Sequence, residues 1–309
     1  MRVGIIGGAG FIGSNLAESL FKLNHQVHIF DNFESGKRSN LGNLDVRIVE
    51  GDIKNREEIE KFILENNIET CFHLAAMGSV PRSILNPDAS FNSNVIGSLN
   101  VLTAVKKHRL PILYTSSSSV YGSNQKMPKS EDDWMSPISP YGAFKSSAEA
   151  IFQAYAHSYH LDVKIVRPFN VYGPKQNPEG AYAAVIPKWI IAAIKKEPLI
   201  VYGDGSQRRD FTFVDDVVKV FIESITNRNH DLRPLNLAFG DSVNLLEILE
   251  IFKSYFGKIK ILFEPEREGD IKNSESDSSK FRKIYPMIRQ TPIQEGLIKT
   301  FDWFTANHN

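Results

Sequence analysis

The stretch Gly7-Gly8-Ala9-Gly10-Phe11-Ile12-Gly13 lies between a short β-rich run, Arg2–Ile6, and a helical apolar pattern over Phe11–Leu23. It satisfies Gly-x-Gly-x-x-Gly from Gly8 and Gly-x-x-Gly-x-x-Gly from Gly7. Glycines permit a tight turn and a close approach of the backbone to a pyrophosphate, which then rests on a helix N-terminus. The stretch therefore predicts a strand–turn–helix unit that binds a dinucleotide.

A second strand, Gln26–Phe30, ends at Asp31, at the spacing expected of an acid that binds the adenosine ribose hydroxyls. A carboxylate there repels a 2′-phosphate, which favours NAD over NADP. Lys37 and Arg38 follow closely and keep NADP open as the alternative, unless they belong to a solvated loop. Strand, glycines, helix, strand and acid in this order are far more specific than the glycines alone.

The alternation of strands and helices continues through the first half of the chain. Further strands are predicted at Val46–Val49, Thr70–Leu74 and Pro111–Thr115, with helices at Asn55–Asn66 and Asp88–Lys107. This alternation predicts an α/β fold with a doubly wound parallel sheet, the Rossmann fold, whose ligands bind at the carboxyl ends of the strands.

Polar and small residues follow those predicted strand ends. Asp52, Ala75, Ala76 and Thr115 are candidate cofactor contacts, and close helix–sheet packing is the alternative for the two alanines. The run Ser116–Ser119 has apolar flanks, so it is read as the end of a buried strand whose hydroxyls face the same crevice.

A second motif, Ser139-Pro140-Tyr141-Gly142-Ala143-Phe144-Lys145, predicts the start of a helix, because serine caps helices and proline suits their first position. Tyr141 and Lys145 then lie one turn apart on one face. An ammonium beside a phenol favours the phenolate, so Tyr141 is a candidate base. Taken alone, Tyr-x-x-x-Lys is more often a surface pair; the glycine motif and the strand-end serines give it weight.

The composition is that of an ordinary globular protein of 309 residues, with 36 Lys and Arg against 36 Asp and Glu. With this balance the protein has no net charge whose electrostatic field would attract nucleic acid or a membrane surface. The single cysteine, Cys71, excludes an internal disulfide and favours a reducing compartment. Neither a membrane span nor a signal peptide is evident, so we expect a cytoplasmic protein. His157 and His160 lack evident partners, and no metal site is predicted.

Together these features resemble the extended short-chain dehydrogenase/reductase superfamily, and more narrowly the NAD-dependent nucleotide-sugar epimerases of the UDP-hexose 4-epimerase type. The resemblance runs nearly end to end. It covers Asp31-Asn32, Gly51-Asp52-Ile53, His73-Leu74-Ala75-Ala76, Asn94-Val95-Ile96-Gly97-Ser98, Arg167-Pro168-Phe169-Asn170-Val171-Tyr172-Gly173-Pro174, Arg209-Asp210-Phe211 and Arg267-Glu268-Gly269-Asp270.

The resemblance implies roles for individual residues. Tyr141 is the acid/base at the sugar C4 hydroxyl, and Lys145 holds the nicotinamide ribose and lowers the tyrosine pKa. Ser117 bridges Tyr141 to the sugar oxygen, with Ser118 as the alternative. The implied NAD contacts are Gly7, Gly10, Phe11, Ile12, Gly13, Asp31, Asn32, Asp52, Ile53, Leu74, Ala75, Ala76, Asn94, Thr115, Tyr141, Lys145 and Pro168.

The resemblance also implies a UDP-sugar substrate held by residues of the second half. Asn170 would hold the diphosphate, and Arg209 and Arg267 would neutralise it, since the guanidinium fork matches phosphate oxygens. Tyr202 either stacks on uracil or lies in the core. The implied substrate contacts are Ser117, Ser118, Asn170, Val185, Tyr202, Arg209, Arg267 and Ser274.

Two departures indicate which sugar is bound. Gly78 stands where some hexose epimerases carry a lysine, and its surroundings resemble bacterial epimerases of UDP-N-acetylhexosamines. Ser274 falls where narrow-specificity epimerases carry a tyrosine, so an acetamido group would fit; an ordinary loop serine is the alternative, and Ser276 leaves the register open. UDP-glucose and UDP-glucuronate remain alternatives.

The competing functions are a dehydratase or decarboxylase on the same fold and a non-catalytic NAD-binding protein. The former generally place a carboxylate directly after the bridging hydroxyl, where this chain has Ser118 and Ser119. The intact Ser117, Tyr141 and Lys145 argue against the latter, because binding NAD requires no proton-transfer group.

The predicted domains are an NAD-binding Rossmann domain over 1–169, with a return segment near 205–240, and a smaller interleaved α/β substrate domain over 170–309. Its predicted elements are helices Tyr182–Lys196 and Asn244–Phe256, strands Leu199–Tyr202, Pro234–Ala238 and Lys258–Phe263, and a last helix opened by a capping box at Thr291-Pro292-Ile293-Gln294. A homodimer is expected through the helices Asp88–Lys107 and Tyr141–Tyr159.

Overall fold

The computed structural model describes residues 1–179, 183–226, 232–266 and 273–308. Its main sheet has seven strands in the order β3-β2-β1-β4-β5-β6-β11, with β1 Arg2–Ile6, β2 Gln26–Asp31, β3 Arg47–Glu50, β4 Thr70–His73, β5 Ile112–Thr115, β6 Val163–Pro168 and β11 Leu235–Leu237. The smaller strands are β7 Val171–Tyr172, β8 Leu199–Tyr202, β9 Arg208–Asp210, β10 Thr212–Phe213, β12 Ser242–Asn244, β13 Ile261–Glu264 and β14 Asn273–Ser274.

The helices cover the sheet and build most of the remainder. They are α1 Phe11–Lys22, α2 Arg56–Glu65, α3 Val80–Leu85, α4 Pro87–Phe91, α5 Ser98–His108, α6 Pro140–Tyr159, α7 Val185–Ile194, α8 Val214–Thr226, α9 Leu245–Phe256, α10 Ser279–Ile284 and α11 Ile293–Asn307. The parallel pairing of β1 to β6 and the flanking helices confirm the predicted α/β Rossmann class.

The register of the central strands aligns their carboxyl ends. Ile6 of β1 is paired with Phe30 of β2 and with His73 of β4. The glycine turn after β1 therefore lies between Asp31 and Leu74, which follow those two partners. Residues far apart in the chain thus meet at one edge of the sheet, as the sequence predicts for a doubly wound fold.

The chain forms two compact units. The first consists of Met1–Gln125, Glu131–Pro168 and Val218–Asn236, and the second of Lys126–Ser130, Phe169–Val217 and Leu237–Asn309. The first unit holds nearly all of the seven-stranded sheet. The second contains the small pairs β7 with β10 and β8 with β13, and the three-stranded β12-β9-β14.

Caps are predicted for two helices, and the structure confirms one of them. The Ser139 hydroxyl accepts the Gly142 N–H at 3.2 Å and Pro140 takes the first position, so α6 begins directly before Tyr141. The capping box predicted at Thr291 is wrong. The Thr291 hydroxyl donates instead to Asp216 at 2.8 Å, which leaves α11 without a side-chain cap.

The helix predicted over Asp88–Lys107 is divided in the structure. A π-helical turn, Asn92–Gly97, separates α4 from α5. At Gly97 a side chain would collide with Ile53, so glycine lets this wider turn pack against the segment that follows β3. The turn carries Asn94, and such turns often mark functional sites.

Candidate active site and ligand pockets

A cavity of about 140 Å³ opens at the carboxyl ends of β1 to β4. Its wall includes nine of the predicted cofactor contacts, namely Gly7, Gly10, Asp31, Asn32, Asp52, Ile53, Leu74, Ala75 and Ala76. It also includes residues that sequence reasoning missed, namely Phe30, Glu34, Ser35, Gly51, Lys54, Met77, Arg82, Ala89 and Ser93. Several of these directly flank the same strand ends, so a wider window around each end would have found them.

The glycine turn has the geometry that a pyrophosphate needs. Gly7 has a φ of +88°, and a side chain there would collide with the backbone of Ala75. A side chain at Gly13 would collide with the Gly7 carbonyl. Gly10 precedes α1 and offers no side-chain cap, so the first-turn N–H groups remain for an anion. The residues present therefore fit a dinucleotide.

Asp31 is nearly buried and its carboxylate accepts two backbone N–H groups, from Ala9 at 2.8 Å and from Phe33 at 2.9 Å. Burial raises its pKa, and these two hydrogen bonds act against that rise. Each carboxylate oxygen keeps a second lone pair that can accept a ribose hydroxyl. Arg38 pairs with Glu50 at 2.6 Å instead of lining the cavity, which favours a cofactor without a 2′-phosphate.

Tyr141 and Lys145 lie where the first turn of α6 meets the end of β5. The Lys145 side chain is buried, and its ammonium donates to the Thr115 carbonyl at 2.8 Å and lies 4.9 Å from the centre of the Tyr114 ring. The Ser117 hydroxyl lies close enough to the Tyr141 phenol to lower its pKa; it donates to the Ser119 hydroxyl at 3.1 Å and accepts the Ser119 N–H at 3.1 Å, which caps the turn Ser118–Val120. The structure thus brings Ser117 close to the Tyr141 phenol, one helical turn from Lys145, and the choice of Ser117 over Ser118 stays a prediction.

The expected lowering of the tyrosine pKa is not found. Burial raises the pKa of Tyr141, and the hydrogen bond with Ser117 opposes the rise without overcoming it. Burial also lowers the pKa of Lys145 to about 7, while the Glu149 carboxylate one turn further along α6 opposes that change. The reason is desolvation, which disfavours both charged forms and which the sequence alone does not reveal.

The other predicted NAD contacts lie outside the wall of this cavity. Phe11, Ile12 and Gly13 form the first turn of α1, and Thr115 and Pro168 end β5 and β6. The Asn94 amide is buried, accepts the Met77 N–H at 2.9 Å and donates to Ser90 at 3.1 Å. Asn94 therefore holds the loop that carries Met77 on the cavity wall.

In the second unit, a cavity of about 290 Å³ has four predicted substrate residues on its wall, Asn170, Val185, Tyr202 and Arg209. Ala184, Val185 and Ile186, at the start of α7, lie on the same wall as Arg209, and Ala184 gives this helix no side-chain cap. The wall also includes residues that sequence reasoning missed, among them Gln176, Ile200, Gln207, Phe211 and Leu245.

The Asn170 side chain makes two hydrogen bonds within the protein beside this cavity. Its amide donates to the Asp210 carbonyl at 3.1 Å and to the Ser274 hydroxyl at 3.4 Å. Ser274 therefore lies next to Asn170 and is not part of the cavity wall. Arg267, the second predicted arginine, lies outside the described residues.

Asp210 gives the second unit a pH-dependent stability. Its buried carboxylate accepts the Gly240 N–H at 2.8 Å, yet burial raises its pKa to about 6. The folded state therefore binds the carboxyl proton of Asp210 more tightly than the unfolded state does. The free energy of unfolding that this proton contributes is lost as pH rises from about 4 to about 6. Compared with Asp210→Asn, the wild type should lose up to about 3 kcal/mol of unfolding free energy between pH 4 and pH 7. Urea unfolding of both proteins measures this; a constant difference would contradict it.

Across the described ranges, no group of three or more His, Cys, Asp or Glu side chains is arranged to hold a metal ion. Within the same part of the chain, no helix has both the length and the apolar character required to cross a membrane.

Several known proteins are similar to this chain in sequence and in structure. The profile of the NAD dependent epimerase/dehydratase family matches residues 3–238. A putative UDP-glucose 4-epimerase of Methanocaldococcus jannaschii is 30% identical over 98% of both chains. UDP-glucuronic acid decarboxylase 1 of Danio rerio is 32% identical over 98% of this chain and 72% of its own. The structure of a UDP-N-acetylglucosamine 4-epimerase from Methanobrevibacter ruminantium, in complex with UDP-N-acetylmuramic acid, superposes with a TM-score of 0.93 at 36% identity, covering 99% of this chain and 98% of that one.

Proposed function

The chain belongs to the NAD dependent epimerase/dehydratase family, and we propose that it catalyses the 4-epimerisation of a UDP-hexose, with UDP-N-acetylglucosamine and UDP-N-acetylgalactosamine as the interconverted pair. The observation that carries the proposal is the contact of Ser117 with the Tyr141 phenol, beside the buried Lys145. A serine, a tyrosine and a lysine so arranged form a proton-transfer system at the end of β5.

NAD, when bound, supplies the acceptor and donor of the hydride at the sugar C4. The residues of the chain handle the proton. Tyr141, as phenolate, takes the proton of the C4 hydroxyl, and Ser117 shares its hydrogen bond with the same oxygen. After the resulting 4-keto sugar has turned, Tyr141 would return a proton to the oxygen, and the bound cofactor would supply the hydride to the opposite face. The reaction causes no net oxidation of the sugar, because one hydride and one proton leave it and both return.

Because the Tyr141 pKa is raised by burial, the phenolate needs nearby positive charge. The Lys145 ammonium supplies that charge in our proposal. Glu149 favours the protonated form of this lysine and so supports the proposed role.

The cavity of the second unit is suited to a nucleotide diphosphate. Arg209 contributes a guanidinium, and the uncapped start of α7 contributes backbone N–H groups and the positive end of a helix dipole. Tyr202 and Phe211 provide aromatic surface on the same wall for a base. We therefore assign the UDP moiety to this cavity.

The choice of an N-acetylated sugar is supported by one comparison and one resemblance. A relative of 36% identity is a UDP-N-acetylglucosamine 4-epimerase. Ser274, which is hydrogen-bonded to Asn170 beside the cavity, stands where the resemblance places a tyrosine in narrow-specificity epimerases. The decarboxylase at 32% identity keeps decarboxylation of UDP-glucuronate as the second candidate. Ser118 and Ser119, where such enzymes carry a carboxylate, favour epimerisation.

The test uses purified protein without added nicotinamide and follows the anomeric proton NMR signals of UDP-N-acetylglucosamine. Appearance of UDP-N-acetylgalactosamine is the expected result. If only UDP-glucose or UDP-glucuronate is epimerised, the choice of sugar is wrong and the reaction stands. Release of CO₂ from UDP-glucuronate, without epimerisation of any of the three sugars, would replace the proposal by the decarboxylase.

Arg209 gives a test of the diphosphate site. Replacing Arg209 with Met should raise the KM for the UDP-sugar about 10- to 100-fold, with a smaller effect on kcat, because a charge-assisted hydrogen bond to the diphosphate is lost. Arg208→Met is the control, since Arg208 contacts Ser242 at 3.0 Å and is not on the cavity wall. Equal KM changes in the two variants would remove Arg209 from the site.

A further inference from the structure

An ion pair joins two parts of the first-unit cavity wall that lie far apart in the sequence. Arg82 Nη2 lies 2.7 Å from Glu34 Oε1, and both residues are on the wall. Their side chains are 43% and 52% exposed, so the pair lies at the mouth of the cavity and not in its floor. Neither residue belongs to the glycine turn or to the proton-transfer system.

The sheet topology shows what this pair spans. Glu34 follows β2, and Arg82 lies on α3, which follows β4. In the sheet β1 lies between β2 and β4, so the two segments flank the glycine turn from opposite sides. With neighbouring strands about 4.8 Å apart, the pair bridges a gap of about 10 Å over the carboxyl end of β1.

Both ends of the bridge are fixed by other contacts. Asn32 accepts the Glu34 N–H at 3.1 Å, and Asp31 accepts the N–H of the preceding residue. On the opposite side, Ser79 caps α3 by accepting the Arg82 N–H at 3.3 Å. Ser83, also on α3, accepts the Tyr141 N–H at 3.0 Å and so ties the helix to α6. These contacts hold the backbone of both residues in place on the two sides of the glycine turn.

We propose that Glu34 and Arg82 form a clasp over the cofactor cavity that slows the release of NAD. The inference rests on the NAD dependence of the family and not on the identity of the sugar. Breaking the clasp removes one attraction between the two sides of the cavity while the glycine turn and Asp31 stay intact. The rate of release should therefore change far more than the fold does.

The experiment follows cofactor release directly and needs no UDP-sugar. Protein loaded with NADH is mixed with excess NAD, and the loss of bound-NADH fluorescence gives the rate constant of release. Glu34→Gln should release NADH about 1.5- to fivefold faster than the wild type, the range expected of one partly exposed ion pair. In the wild type, raising NaCl from low to high concentration should speed release towards the rate of the variant, because salt screens the pair.

The matched control is Glu50→Gln, which removes the same charge from the Arg38–Glu50 pair, at 2.6 Å and similarly exposed but off the cavity wall. Its rate should equal that of the wild type. The charge-swapped double variant Glu34→Arg/Arg82→Glu should restore slow release. Equal rates for Glu34→Gln and Glu50→Gln, or no recovery in the swap, would overturn the clasp. If the variants show the expected NADH release rates but the protein epimerises no UDP-sugar, the clasp stands and only the proposed reaction is wrong.

Discussion

Replacing Tyr141 with Phe should lower turnover of the UDP-sugar by about a thousandfold, within the range that general acid–base groups contribute. The variant lacks only the phenolic hydroxyl. The proposed mechanism assigns both proton transfers at the sugar oxygen to that hydroxyl. NMR of the anomeric signals measures the loss. The bound NAD should remain, because Gly7, Asp31 and Asp52 of the cofactor cavity are untouched.

The control lies on the same helix. Tyr159→Phe removes a hydroxyl at the last residue of α6, where the side chain is 49% exposed, and should leave turnover unchanged. A Tyr141→Phe protein that keeps more than about a tenth of the activity would remove this residue from the proton-transfer role. A protein that loses NAD as well would show that the phenol mainly holds the cofactor.

Replacing Arg167 with Met should lower the free energy of unfolding by about 3–5 kcal/mol, because it leaves a buried carboxylate without its partner. Arg167 donates to both Glu149 oxygens, at 2.9 and 2.7 Å, and the two side chains are 3% and 1% exposed. Arg167 also donates to the Tyr121 hydroxyl at 2.9 Å, which in turn donates to Asn236 at 2.6 Å. Urea unfolding at neutral pH measures the loss.

The double variant Arg167→Met/Glu149→Leu separates pairing from packing. It removes both charges, and apolar replacements of buried pairs are often tolerated, so much of the stability should return. Arg38→Met breaks an exposed pair and should cost less than about 1 kcal/mol. A loss in Arg167→Met no larger than that in Arg38→Met would contradict the argument. Because Glu149 also favours the charged form of Lys145, the double variant should lose activity even where it regains stability.

The sequence by itself determined the features that depend on near neighbours. The glycine turn, the strands on either side of it and the acid at Asp31 follow from local spacing, and the structure places them together as predicted. The relation of Tyr141 to Lys145 is likewise local, because residues four apart on a helix share a face. Ser139 fixed the start of that helix through a hydrogen bond to its own first turn.

Only the tertiary structure decided which distant groups meet and how far they are desolvated. The partners Glu34 and Arg82 are 48 residues apart, and their contact depends on the order of three strands. Thr291 bonds to Asp216, 75 residues away, in place of the local cap that its sequence suggests. The raised pKa of Tyr141 follows from burial, which no spacing of residues encodes. Local geometry is set by short-range sterics and hydrogen bonds, whereas burial and long-range pairing emerge only when the whole chain packs.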